Sequence, residues 1–153
     1  MQNSGLISEE MMLSFLDKAN EWSLKFLRDY LIQYPERLDD WRGLNKTLID
    51  ILQSYKAPKM DLSEINQEYK VIKFILSIII DLELKNFLEY SLETFKRLED
   101  EKLKKIAIFP ILKFGEQSLL LDLKNYMKEN QEVGKFVMQF LNSLERNEWR
   151  FYY

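Results

Sequence analysis

Apolar residues return every three or four positions along almost the whole chain, and no stretch alternates with the period of two that a half-buried strand requires. From Ser8 the stripe runs through Met12, Phe15, Leu16, Ala19, Trp22, Phe26, Leu27, Tyr30 and Tyr34. This predicts one long helix, with Ser8 as its cap, Glu9 and Glu10 at the positive end of its dipole, and Ile7 stapled onto Met12. Pro35 stops it. A second helix, from Asp39 to Tyr55, places Trp41, Leu44, Leu48, Ile51, Leu52 and Tyr55 on one side before the Ala57-Pro58 breaker. A third opens on Asp61 and Glu64 as a capping box, with Met60 stapled to Ile65. Because Val71 to Ile80 is apolar nearly all round, this helix is expected at the centre.

The phase drifts between Asp81 and Glu83, which predicts a corner before a helix from Leu84 to Leu98. The segment from Glu101 to Phe114 holds Pro110 in its interior and is expected to bend there and end at Gly115. Helices from Ser118 to Lys128 and from Gln131 to Arg146 complete the pattern, followed by Trp149, Arg150, Phe151, Tyr152 and Tyr153. The expected class is therefore all-α: six or seven mostly antiparallel helices in one domain spanning 1–153, with a flexible start over 1–7 and an aromatic tail over 147–153. The short links leave open a closed bundle or a layered helical array.

Composition removes whole classes of chemistry. The chain of 153 residues has no His and no Cys, which excludes the usual zinc ligand sets, imidazole-based triads and disulfides. Four glycines, none in a phosphate-cradling turn, leave no nucleotide-hydrolysing loop. Carboxylates one helical turn apart, Glu64 with Glu68 and Glu89 with Glu93, would serve an enzyme if held in a pocket. Their basic neighbours, Arg97 beside Glu93 for example, read instead as a salt-bridged surface. The expectation is a non-catalytic protein with no cofactor and no metal. A net charge of −3, spread without a basic tract, argues against nucleic acid as a partner. No secretory signal and no apolar run near ~20 residues is visible. The expected location is cytoplasmic, with no membrane partner.

Three features remain for binding another protein. Trp149, Phe151, Tyr152 and Tyr153 form an unusually aromatic tail, suited either to anchor a partner or to fold back and plug the bundle. Carboxylates gather at Glu36, Asp39 and Asp40 and again at Glu99, Asp100 and Glu101; they would steer a basic partner, or serve as helix caps, for which Asp39 or Asp40 and Asp100 are well placed. Trp22, Trp41, Tyr30 and Tyr55 lie on helical stripes and read as core, or as the lining of a small apolar pocket.

Pro110, Leu112, Gly115, Leu119, Leu120 and Leu123 give the stretch from Leu84 to Arg146 a helix-pair rhythm that resembles HEAT-like repeats, without their Asp and Arg ladder. In size, acidity and helicity the whole chain resembles small bacterial toxin-immunity proteins. That resemblance rests on general character, carries over no functional residue, and implies an antitoxin that binds and neutralises a basic toxin domain. The HEAT-like rhythm implies a helical adaptor or scaffold subunit of a larger assembly.

Overall fold

The computed structural model describes residues 7–55 and 67–145. Among them are nine α-helices, a 3-10 turn and no strand: α1 (Glu9–Lys18), α2 (Glu21–Gln33), α3 (Arg37–Asp40), α4 (Arg42–Ser54), α5 (Gln67–Asp81), the 3-10 turn Lys85–Phe87, α6 (Leu88–Arg97), α7 (Glu101–Phe114), α8 (Gln117–Glu129) and α9 (Gln131–Glu145). The all-α class holds, and the helices outnumber the six or seven expected because two predicted ones are broken.

The first break falls at Ala19, whose φ of 51° turns the chain out of the helix. Asn20 then restarts it: its Oδ1 accepts from the Ser23 amide at 2.8 Å, while Ser23 Oγ accepts from the Asn20 amide at 3.2 Å. Two orphan amides are thereby satisfied reciprocally. The second break falls at Trp41, with φ −93° and ψ 76° between α3 and α4. Asp39 and Asp40 lie inside α3 and cap nothing, correcting the expectation that one of them starts the second helix. The α4 amides are served from elsewhere. Glu9 reaches across from α1, and its Oε2 accepts from the Leu44 amide at 2.8 Å. Gly43 admits that carboxylate, since a β-carbon there would stand 3.0 Å from Glu9 Oε2.

Asp100 does cap α7, accepting from the Leu103 amide at 2.9 Å. The helix runs through the buried Pro110 and closes at Gly115, where a β-carbon would clash with the Ile111 carbonyl at 2.4 Å. The capping box and staple expected at Met60, Asp61, Glu64 and Ile65 lie outside the described residues, as does the flexible start apart from Ile7.

The central place of α5 is borne out: Tyr69, Val71, Ile72 and every residue from Phe74 to Ile79 are buried. It packs on α2, α4 and α7, while α6 packs on α4 and α7 and α1 on α2 and α4. Helices far apart in sequence thus meet around one core, a closed bundle with the α8–α9 pair set against α7. Phe136 of α9 also reaches Phe95 of α6, ring centres 6.2 Å apart. Fully burying each aliphatic side chain contributes roughly 1.5–3 kcal/mol, so this apolar axis is the main source of cohesion.

Two polar side chains of α6 tie it to its neighbours. Ser91 donates to the Ala107 carbonyl at 2.8 Å, tying α6 to α7. Arg97, expected to pair with Glu93, instead turns to the end of α4 and donates to the carbonyls of Leu52 (2.6 Å), Gln53 (2.9 Å) and Tyr55 (2.8 Å). Glu93 pairs with Lys96 at 3.1 Å. The last carbonyls of a helix have no partner within it and carry its negative dipole end, so a guanidinium fork is well suited to them.

Candidate functional site

Residues four apart on a helix form a slowly winding row. On α2 that row is Trp22, Phe26, Tyr30 and Tyr34, and its rings touch in sequence. Trp22 stacks on Phe26 with centres 5.8 Å apart, Phe26 on Tyr30 at 6.5 Å, and Tyr30 lies 4.9 Å from Tyr34. Phe15 of α1 meets Trp22 edge-on at 5.5 Å and Phe26 at 5.2 Å. Trp41 stacks on Tyr30 at 5.8 Å with its plane only 10° away. From Trp22 to Tyr34 this ridge runs about 18 Å along the helix. The opposite side of α2 carries Leu24, Leu27 and Leu31 into the core.

The ridge corrects the reading of these aromatics as core. Trp22 is 65 % exposed, and Phe15, Phe26, Tyr30, Tyr34 and Trp41 are only partly buried. Helical spacing alone placed Trp22 inside. The contrary signal was local, because Lys18, Glu21, Lys25 and Asp29 surround it on the helix surface. Each aromatic contact is worth roughly 0.5–1.5 kcal/mol beyond burial, so the rings hold one another in place while their outer faces stay wet. At the Trp41 end two buried polar atoms, Tyr30 Oη and Arg37 Nε, have no hydrogen-bond partner among the described residues. The Arg37 guanidinium lies over the Trp41 ring at 5.9 Å.

Of the residues singled out for binding, Glu36, Asp39 and Asp40 are exposed and stand at this end of the ridge, immediately before Trp41. Arg42 is their exposed neighbour. Glu99, Asp100 and Glu101 lie elsewhere. Arg97, two residues earlier, grips the far end of α4, so the two acidic corners flank a helix about 20 Å long and do not form one surface. Glu99 and Glu101 are exposed, whereas Asp100 is occupied as the α7 cap and accepts from Tyr69 Oη at 3.2 Å. Trp149, Phe151, Tyr152 and Tyr153 lie outside the described residues.

A cleft of about 410 Å³ opens between α1, α4 and α5, lined by Leu13, Asp17, Thr47, Tyr55, Glu68 and Val71 among others. Burial pushes the Tyr55 phenol above its ordinary range, helped by the negative charges of Glu68 and Asp100. Tyr55 lines this cleft, whereas Trp22 and Trp41 do not. Among the described residues no cluster of three or more acidic side chains could hold a metal ion, and no helix is long and apolar enough to cross a membrane. Comparison with protein-family models, curated proteins and solved structures finds no match to this chain.

Proposed function

We propose that this is a non-catalytic protein-binding module that grips another protein through the Phe15–Trp22–Trp41 ridge, most concretely an immunity-type protein that neutralises a basic toxin domain. One observation carries the reading: Trp22 is 65 % exposed yet fixed between Phe15 and Phe26. A large ring held rigid before contact loses little entropy on binding, which is the property of the aromatic anchors that dominate protein interfaces. The carboxylates of Glu36, Asp39 and Asp40 at one end, with a net chain charge of −3, would speed encounter with a basic surface.

The test is a one-to-one complex with the product of the neighbouring gene, assembled from purified chains and titrated against Trp22→Ala. Loss of at least about 2 kcal/mol, some 30-fold in affinity, is expected for a central anchor. An unchanged affinity removes Trp22 from the interface. A second reading, an adaptor joining components of an assembly, has one observation in its favour: Leu121 and Met138, 56 % and 52 % exposed, lie on the separate α8–α9 pair. An adaptor would retain some components after Trp22→Ala and lose others after Leu121→Ala with Met138→Ala.

A further inference from the structure

Lysines and one arginine converge on a cleft that the ridge does not use. Glu21, Lys25 and Arg28 of α2, Lys70 and Lys73 of α5, and Lys102 of α7 line a half-open cleft of about 570 Å³. The helical period explains the convergence: Lys25 and Arg28 are one turn apart, as are Lys70 and Lys73, and the packing of α5 on α2 and α7 turns those turns toward one another. Five cations therefore face one carboxylate, Glu21, in a chain whose net charge is negative. Arg28 spends part of its charge on Asp81, its Nε 2.8 Å from Oδ2. Among the described residues Lys25, Lys70 and Lys102 make no ion pair.

Like charges gathered at one place oppose folding, and a cleft with low-dielectric walls concentrates their field on whatever enters. Its inner wall is apolar: Leu24, Tyr69 and Phe74 are buried. Lys102 sits in the first turn of α7, whose amide end is already met by the Asp100 carboxylate, so the positive field of the cleft comes from the side chains alone. A site of this size, with a few charged groups around an apolar wall, matches ligand pockets of roughly 300–1,000 Å³. Its cations converge on one cleft and are not strung out as the extended basic stripe that tracks a polymer backbone.

We propose that this cleft binds a multiply phosphorylated small molecule of nucleotide size, its phosphates among Lys25, Lys70, Lys73 and Lys102 and its apolar part against Leu24 and Phe74. Lys25 of the cleft stands about 60° round α2 from Trp22, so ligand and protein partner would occupy neighbouring faces of the chain. A bound anion would draw α2, α5 and α7 together and stabilise the bundle that presents the ridge.

The test is isothermal titration of the full chain with ATP, inorganic pyrophosphate and adenosine, beside co-sedimentation with phosphatidylglycerol vesicles. ATP and pyrophosphate are expected to bind and adenosine not. Lys70→Glu with Lys102→Glu should weaken both by at least about tenfold, whereas the same charge change on α8, Lys124→Glu with Lys128→Glu, should leave them within about twofold. Lys25→Ala with Lys102→Ala serves the same purpose should the reversed pair disturb folding, which far-ultraviolet circular dichroism reports. Absence of binding by either phosphate, equal losses in the α5–α7 and α8 variants, or retention on vesicles alone would each overturn the proposal.

Discussion

Replacing Arg97 by methionine keeps a flexible, unbranched stem and removes the charge and every donor, which isolates the grip on α4. Three carbonyls, those of Leu52, Gln53 and Tyr55, then lose partners at 2.6, 2.9 and 2.8 Å. A hydrogen bond to a charged group contributes about 1.5–3 kcal/mol where water is excluded. Arg97 is largely exposed, so water can re-solvate these carbonyls and each contact is worth well under that. Allowing about 0.7 kcal/mol for each gives a loss of about 2 kcal/mol, or about 4–8 °C in Tm for a chain of this length. Urea unfolding followed at 222 nm measures it directly. Arg97→Lys, with one compact charge in place of a planar fork, should recover less than half. A change below about 0.5 kcal/mol in the methionine variant, or full recovery by lysine, would refute the view that a multidentate cap joins α6 to α4.

Tyr30→Phe removes a buried hydroxyl that has no partner among the described residues, and should leave stability unchanged or raise it by up to about 1 kcal/mol; a clear loss in urea unfolding would mean the hydroxyl is satisfied in solution. Glu83 is exposed with φ 50°, so Glu83→Gly should stabilise by about 0.5–1 kcal/mol, and destabilisation would contradict that backbone geometry. The raised Tyr55 phenol means that the folded chain holds its proton where the unfolded chain has begun to release it, so stability contributed by this group is present below pH ~10 and lost as pH rises through the folded value. Tyr55→Phe should therefore match the parent at neutral pH and lose less above pH ~10; parallel alkaline profiles would show that the phenol is not perturbed. Trp22→Ala should cost only about 1–2 kcal/mol of fold stability, because about a third of the ring is covered, and thermal melting reports whether the domain depends on it more heavily.

The helices were legible because the apolar period is physical: Ile72, Ile75, Leu76 and Ile79 must face inward on any compact helix, and they are fully buried. The corner at Asp81–Glu83 was legible too, from a phase shift that the φ of Glu83 accounts for. What the stripe concealed was the break at Ala19, since Leu16, Ala19, Trp22 and Phe26 keep helical spacing through the turn, whereas the buried set steps from Ala19 to Leu24. Asn20 and Ser23, an N-cap and its reciprocal partner, were the local clue. The end of α4 was beyond local reading, because Arg97 finds it across 42 to 45 residues of chain. Likewise, Glu9 looks like an ordinary first-turn acid of α1, and only packing brings it to Leu44. Trp22 and Phe26 share a register with core residues yet stay at the surface. Helical spacing fixes which residues share a face, whereas which faces are covered depends on the neighbours that arrive.

The central claim is that the aromatic ridge around Trp22 holds a protein partner. Its most direct measurement is quantitative mass spectrometry of proteins captured from the source organism by the tagged full chain, in parallel with Trp22→Ala of matched fold and abundance. One protein with a basic surface, retained in one-to-one proportion by the parent and depleted about 30-fold by the substitution, is the predicted result. Identical captures by the two chains would contradict it.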